Sequence, residues 1–149
     1  MPSNEGPAEI LLVEDSALDA RVIQESFKKI EVPNRVHVIG NGERALAFLH
    51  RGVEFSDAPR PDLILLDLEL PEVSGLEVLS AIKRTEHLRA IPVIILTHSE
   101  EDSDVFQAYD LQANCYLSKP HNIEGFIEIA RTIAKLWLRH VPAPRPDGG

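Results

Sequence analysis

Glu14, Asp15, Asp67, Thr97 and Lys119 are the residues of this chain whose types and placement could do chemistry together. Each closes or follows an apolar run: EILLV precedes Glu14–Asp15, LILL precedes Asp67, PVIIL precedes Thr97 and CYLS precedes Lys119. Parallel strands bring their carboxyl ends to one edge of a sheet, so these side chains can converge although they are far apart in the chain. Three carboxylates crowded together repel unless a cation neutralises them, and all-oxygen ligands that leave room for water suit Mg²⁺. A carboxylate beside such a cation can attack phosphorus and become an aspartyl phosphate. The incoming phosphoryl oxygens need counter-charge and a donor, which the metal, Lys119 and Thr97 can supply. No base for activating a serine or water nucleophile is evident.

The elements that must position these residues are legible from the apolar patterning. Leu63 to Leu66 form a continuous apolar run, the pattern of a strand buried on both faces. It ends at Asp67, where an idle carboxylate would lose water and gain no partner; the plain alternative is that Asp67 caps the following loop. Residues 1–8 read as a flexible lead. Strands are expected at Glu9–Val13, Val36–Ile39, Asp62–Asp67, Pro92–Thr97 and Cys115–Ser118. Ser16 with Asp19, and Ser74 with Glu77, have capping-box spacing and open helices to about Ile30 and Thr85. A further helix runs from about Gly42 to His50. Ser99 with Asp102 is expected to cap the next, burying Val105, Phe106 and Tyr109. Asn122 caps a last helix from Ile123 to about Arg139, and residues 140–149 read as a disordered tail. Five strands alternating with five helices predict an α/β, doubly wound parallel sheet over residues 9–139.

Composition narrows the partners. Fifteen basic against twenty-four acidic side chains leave a net charge of −9, which repels nucleic acid. No run of ~18 apolar residues and no signal-peptide pattern is present, so no membrane partner is expected and the chain is read as cytoplasmic. Cys115 is the only cysteine; no internal disulfide can form, and a small core role is expected. The histidines lack HxxxH or HExxH spacing, so zinc is not supported.

LLVED at 11–15, LLDLELPEVSG at 65–75, VIILT at 93–97 and YLSKP at 116–120 together resemble the receiver domain of bacterial two-component response regulators. The resemblance covers about residues 8–138. It implies a flavodoxin-like fold with strand order 2-1-3-4-5 and phosphoryl acceptance by Asp67 from a sensor histidine kinase. It implies Mg²⁺ bound by Asp15 and Asp67, by Glu14 through a water, and by the main-chain carbonyl of Glu69. Thr97 and Lys119 would contact the phosphoryl group, Lys119–Pro120 would be a cis peptide, and Tyr116 matches the switch aromatic. Glu14 stands where Asp is commoner, and His98 where a small residue is usual. Glu69, His98 and Ser99 occupy positions that tune phosphate lifetime in the family. The long 51–61 connection, ANCYLSKP and the extended last helix are similar to single-domain regulators that partner bacterial phytochromes.

Without an output domain, the signal must leave through binding. Apolar residues fill an arc of about 200° on the last helix, roughly twice what packing on a sheet requires. The surplus, including Ile129, Ile133, Leu136 and Trp137, predicts a homodimer through the fourth helix, fifth strand and fifth helix. Two other classes compete with the signalling switch. A Mg²⁺-dependent phosphohydrolase would want a second Asp two residues after Asp67, where Glu69 stands. A phosphorylation-independent docking module would be expected to have lost Asp67 or Lys119. The expectation is a non-enzyme.

Overall fold

The structure is a computed structural model and describes residues 6–138. Among these, strands β1 (Ala8–Val13), β2 (Asn34–Ile39), β3 (Leu63–Leu66), β4 (Val93–Thr97) and β5 (Cys115–Ser118) alternate with helices α1 (Ala17–Lys28), α2 (Gly42–Leu49), α3 (Gly75–Arg84), α4 (Asp102–Asp110) and α5 (Ile123–Ile133). All the strand pairs are parallel, in the order β2-β1-β3-β4-β5. This is the flavodoxin-like order that the motifs implied.

The two-residue period of each strand sends its side chains into two separate cores. Ile10, Leu12, Leu63, Leu65, Ile94 and Leu96 face α1 and α5, meeting Ile23, Phe27, Phe126, Ala130 and Ile133. Leu11, Val13, Ile64, Leu66, Val93 and Ile95 face the other layer, meeting Ala45, Phe48, Val78, Leu79 and Ile82. Two-sided burial is why β3 reads as an unbroken apolar run.

Ser74 forms the complete capping box with Glu77 that its spacing predicts. At the following position, a Cβ on Gly75 would lie 2.2 Å from the carbonyl oxygen of Asp67 and 2.5 Å from Leu68 Cα. Only glycine lets α3 begin this close to the backbone that carries Asp67.

Several boundaries and faces differ from expectation. β1 begins at Ala8, inside the expected lead, because Ala8 N–H donates to the Pro33 carbonyl at 2.9 Å. β2 begins at Asn34, whose amide donates to the carbonyls of Phe27 and Val32. The N-cap of α4 is Glu101 without a side-chain bond; Ser99 Oγ instead donates to the Asp104 carboxylate. Of α4 only Ala108 is buried, while Phe106 is 70% and Tyr109 49% exposed. The burial expected for Phe106 and Tyr109 is therefore corrected, since α4 turns those rings to solvent.

The last helix also needs correction. Beyond Ile133 the chain continues as one wide π turn, Ala134–Leu138. Ile133 is 1% exposed and belongs to the core, and Ile129 and Trp137 pack against the same cluster. α5 lies against α1 and shares one core with the sheet, which accounts for the wide apolar arc. Of the four residues expected at an interface, only Leu136 stands well exposed, at 67%. Arg139, the tail at 140–149 and residues 1–5 of the lead lie outside the described residues. Among the described residues, no helix is long and apolar enough to cross a membrane.

Candidate functional site

The carboxyl ends of β1, β3, β4 and β5 deliver their residues to one place. Glu14, Asp67, Thr97 and Lys119 are all buried, while Asp15 is exposed. Carboxylate oxygens of Glu14, Asp15 and Asp67 lie within 4.8 Å of one another. Lys119 Nζ stands 2.7 Å from Glu14 Oε1, 2.8 Å from Asp19 Oδ2 and 2.9 Å from Asp67 Oδ2. The other oxygen of Asp67, Oδ1, accepts from the Glu69 main-chain N–H at 3.0 Å. That bond holds the carboxylate in place at the strand end.

Electrostatics here are a balance of burial against one ammonium. Burial raises the Glu14 carboxyl to about 7, with the Asp67 charge adding to the rise and Lys119 opposing it. Burial works against the Lys119 charge too, but hydrogen bonds to Asp19, Glu14 and Asp67 outweigh it and raise its pKa. Glu14 Oε1 is buried, and the partner beside it is Lys119 Nζ at 2.7 Å. Three clustered carboxylates, of which Glu14 and Asp67 are buried and share a single ammonium, are a donor set that fits a hard divalent metal. Glu14, Asp15 and Asp67 are the side chains that could hold one.

The sign of the Glu14 shift gives a testable consequence. Its folded pKa lies above the usual value of 4.5, so the folded protein binds this proton more tightly than the unfolded chain. Stability from this group is present at low pH and is lost as pH rises from about 4.5 through about 7. The loss is on the order of 3 kcal/mol, at ~1.4 kcal/mol per pKa unit. Urea unfolding in EDTA at pH 5 and pH 8 should show the decline, and Glu14→Gln should flatten it. An equal decline in the variant would assign it to another group.

Around this cluster, Thr97 Oγ1 accepts from Ser99 N–H at 3.4 Å. Tyr116 is half-buried, and its hydroxyl donates to the Ser99 carbonyl at 2.9 Å, tying β5 to the loop after β4. Tyr116 N–H donates to Tyr109 Oη at 3.0 Å, so the exposed α4 ring is linked to the same strand. His98 Nε2 lies 3.2 Å from Asp19 Oδ2. Glu69 is exposed beside Asp67. The Lys119–Pro120 peptide, expected cis, is trans. Trans is the lower-energy form even before proline, and Lys119 Nζ reaches its carboxylates with it.

Sequence reasoning missed Asp19. Its spacing from Ser16 predicts a capping box, and half of that box exists, with Ser16 Oγ accepting from Asp19 N–H at 3.1 Å. The return bond does not form because Glu14 Oε2 already accepts from Ser16 N–H at 3.0 Å. The Asp19 carboxylate is left to reach Lys119 instead. Its place in the first turn after β1, at the same sheet edge, was the available signal.

Comparison with known proteins agrees with this geometry. The profile of the response regulator receiver domain matches residues 10–131. Response regulator Rcp1 of Synechocystis sp. is 42% identical over 138 residues, covering 93% of this chain and 94% of Rcp1. The crystal structure of its Mn²⁺-bound form superposes with a TM-score of 0.84, covering 93% of this chain and all of that one. The phosphorylated cyanobacterial phytochrome response regulator RcpA is 41% identical with a TM-score of 0.86, covering 94% of this chain and 100% of RcpA. With the strand order, the acidic cluster and these likenesses in agreement, the chain belongs to the response regulator receiver domain family.

Proposed function

We propose that Asp67 accepts a phosphoryl group from the phosphohistidine of a sensor kinase, and that the chain signals by binding partners in a phosphorylation-dependent way. The observation that carries this is the Asp67 carboxylate itself: buried at the end of the central strand, held by Glu69 N–H and Lys119 Nζ, and clustered with Glu14 and Asp15. An Asp67 oxygen attacks phosphorus, the P–N bond breaks, and its electron pair leaves with the imidazole, which takes a proton from water. Lys119 supplies fixed counter-charge for the phosphoryl oxygens, and Thr97 stands at the adjacent strand end to donate to them. Mg²⁺, held by Glu14, Asp15, Asp67 and the Glu69 carbonyl, would neutralise the acidic cluster and the charge on the transferring group.

The likeness to RcpA, a cyanobacterial phytochrome response regulator, supports a phytochrome as the kinase. We read the chain as cytoplasmic and as having no enzymatic turnover beyond gaining and losing its own phosphate. A phosphohydrolase is disfavoured because Glu69 is exposed and offers Asp67 only its main-chain N–H. A docking module indifferent to phosphate is disfavoured by the intact Asp67–Lys119 pair. Exposed Phe106, Tyr109 and Leu136 support a homodimer through α4, β5 and α5, with Ile133 excluded by its burial.

Intact-protein mass after incubation with acetyl phosphate tests the function. The expected result is the gain of one phosphoryl group that requires Mg²⁺ and disappears in hydroxylamine. A protein that stays unmodified and also fails to bind beryllofluoride would overturn it.

A further inference from the structure

Lys119 has three ammonium protons, and three carboxylate oxygens lie within 2.9 Å of its nitrogen. Two of these partners, Glu14 and Asp67, belong to the acidic cluster that could hold a metal. Asp19 does not. It adds a fourth negative charge beside the place where a phosphoryl dianion must land. Its ionised form is secured there: burial opposes the charge, but Lys119 and His98 outweigh burial and hold the carboxyl below its usual value.

We propose that Asp19 is a positioning residue that occupies Lys119 in the unphosphorylated protein and competes with the phosphoryl group for it. The proposal rests on the reading of Asp67 as the acceptor. The Asp19 Oδ2 atom takes Lys119 Nζ at 2.8 Å and His98 Nε2 at 3.2 Å. The Ser16 cap fixes the backbone of the same residue from below. Asp19 therefore links the ammonium that must meet the phosphoryl oxygens to the residue that follows Thr97. When Lys119 turns to the phosphoryl group, Asp19 keeps only its contact with His98. The link between α1 and the loop after β4 is thereby loosened on the lysine side and left intact on the histidine side. Neither Asp19 nor His98 touches the acceptor, so each acts through Lys119 or through the loop.

Removing the Asp19 charge should free the ammonium and lessen repulsion of the incoming dianion. Asp19→Asn keeps the size and the capping N–H. It should bind beryllofluoride more tightly and take phosphate from acetyl phosphate faster, each by on the order of fivefold, the scale of one partly exposed charge-assisted contact. Asp19→Ala should change both in the same direction, which separates loss of charge from any new bond made by the amide. Mg²⁺ affinity by titration should stay within about twofold, a readout that general loss of site geometry would move. Beryllofluoride bound equally or more weakly by both variants, beside a wild type that binds it, would overturn the competition and leave the acceptor reading standing. A wild type that binds Mg²⁺ but no beryllofluoride would remove the acceptor reading, and this proposal with it.

Discussion

Asp67→Asn is expected to abolish phosphoryl uptake completely while leaving the fold intact. Asparagine has nearly the same shape, and its oxygen can still accept the Glu69 N–H that Asp67 Oδ1 accepts at 3.0 Å. What it lacks is a negatively charged oxygen able to bond phosphorus, so the loss lies in the nucleophile and not in the scaffold. The substitution also removes the Asp67 charge that helps to raise Glu14. The Glu14 carboxyl should therefore ionise at lower pH in the variant, and the decline of stability between about pH 4.5 and 7 should shrink. Mass spectrometry with acetyl phosphate reads the first effect, and urea unfolding at pH 5 and 8 reads the second. A variant that still gains a hydroxylamine-labile phosphoryl group would place the acceptor on another carboxylate.

The sheet and most of this site were legible because burial on both faces leaves an unmistakable trace. In β3, Leu63 to Leu66 are all fully buried, and a strand covered on both faces reads as an unbroken apolar run where a half-exposed one would alternate. The convergence of Glu14, Asp67, Thr97 and Lys119 then follows from parallel topology alone. Helix faces were less legible, because an apolar residue at helical spacing does not say what covers it. Phe106 and Tyr109 have the same spacing as core residues yet face solvent, while Ile133, assigned to an interface, is buried where α5 meets α1 and the sheet. Asp19 escaped notice for a different reason. A local hydrogen bond with Ser16 and a long-range one with Lys119 leave the same short motif in the sequence.

Lys119→Met should destabilise the protein strongly, and the size of the effect should depend on pH and on divalent metal. The lysine side chain is 1% exposed and faces the Glu14, Asp19 and Asp67 side chains at 1%, 21% and 4%. Deleting a buried charge whose partners remain costs about 3–5 kcal/mol, a fall in melting temperature on the order of 10 °C for a domain of this size. Without the ammonium, the hydrogen bond that lowers Glu14 is gone, so the carboxyl moves further up and holds its proton in the folded state. A raised carboxyl gives stability at low pH that disappears as pH rises through its folded pKa. The deficit against wild type should therefore be smallest near pH 5 and largest above about pH 7. Lys119 itself adds no slope in this window, since its raised pKa keeps wild type fully charged there. A divalent cation bound by the remaining carboxylates would replace the missing charge, so Mg²⁺ should recover more stability in the variant than in wild type. Thermal melts at pH 5 and pH 8, each with Mg²⁺ and with EDTA, give all four conditions. A variant as stable as wild type at pH 8 in EDTA would show that the ammonium does not compensate the buried carboxylates.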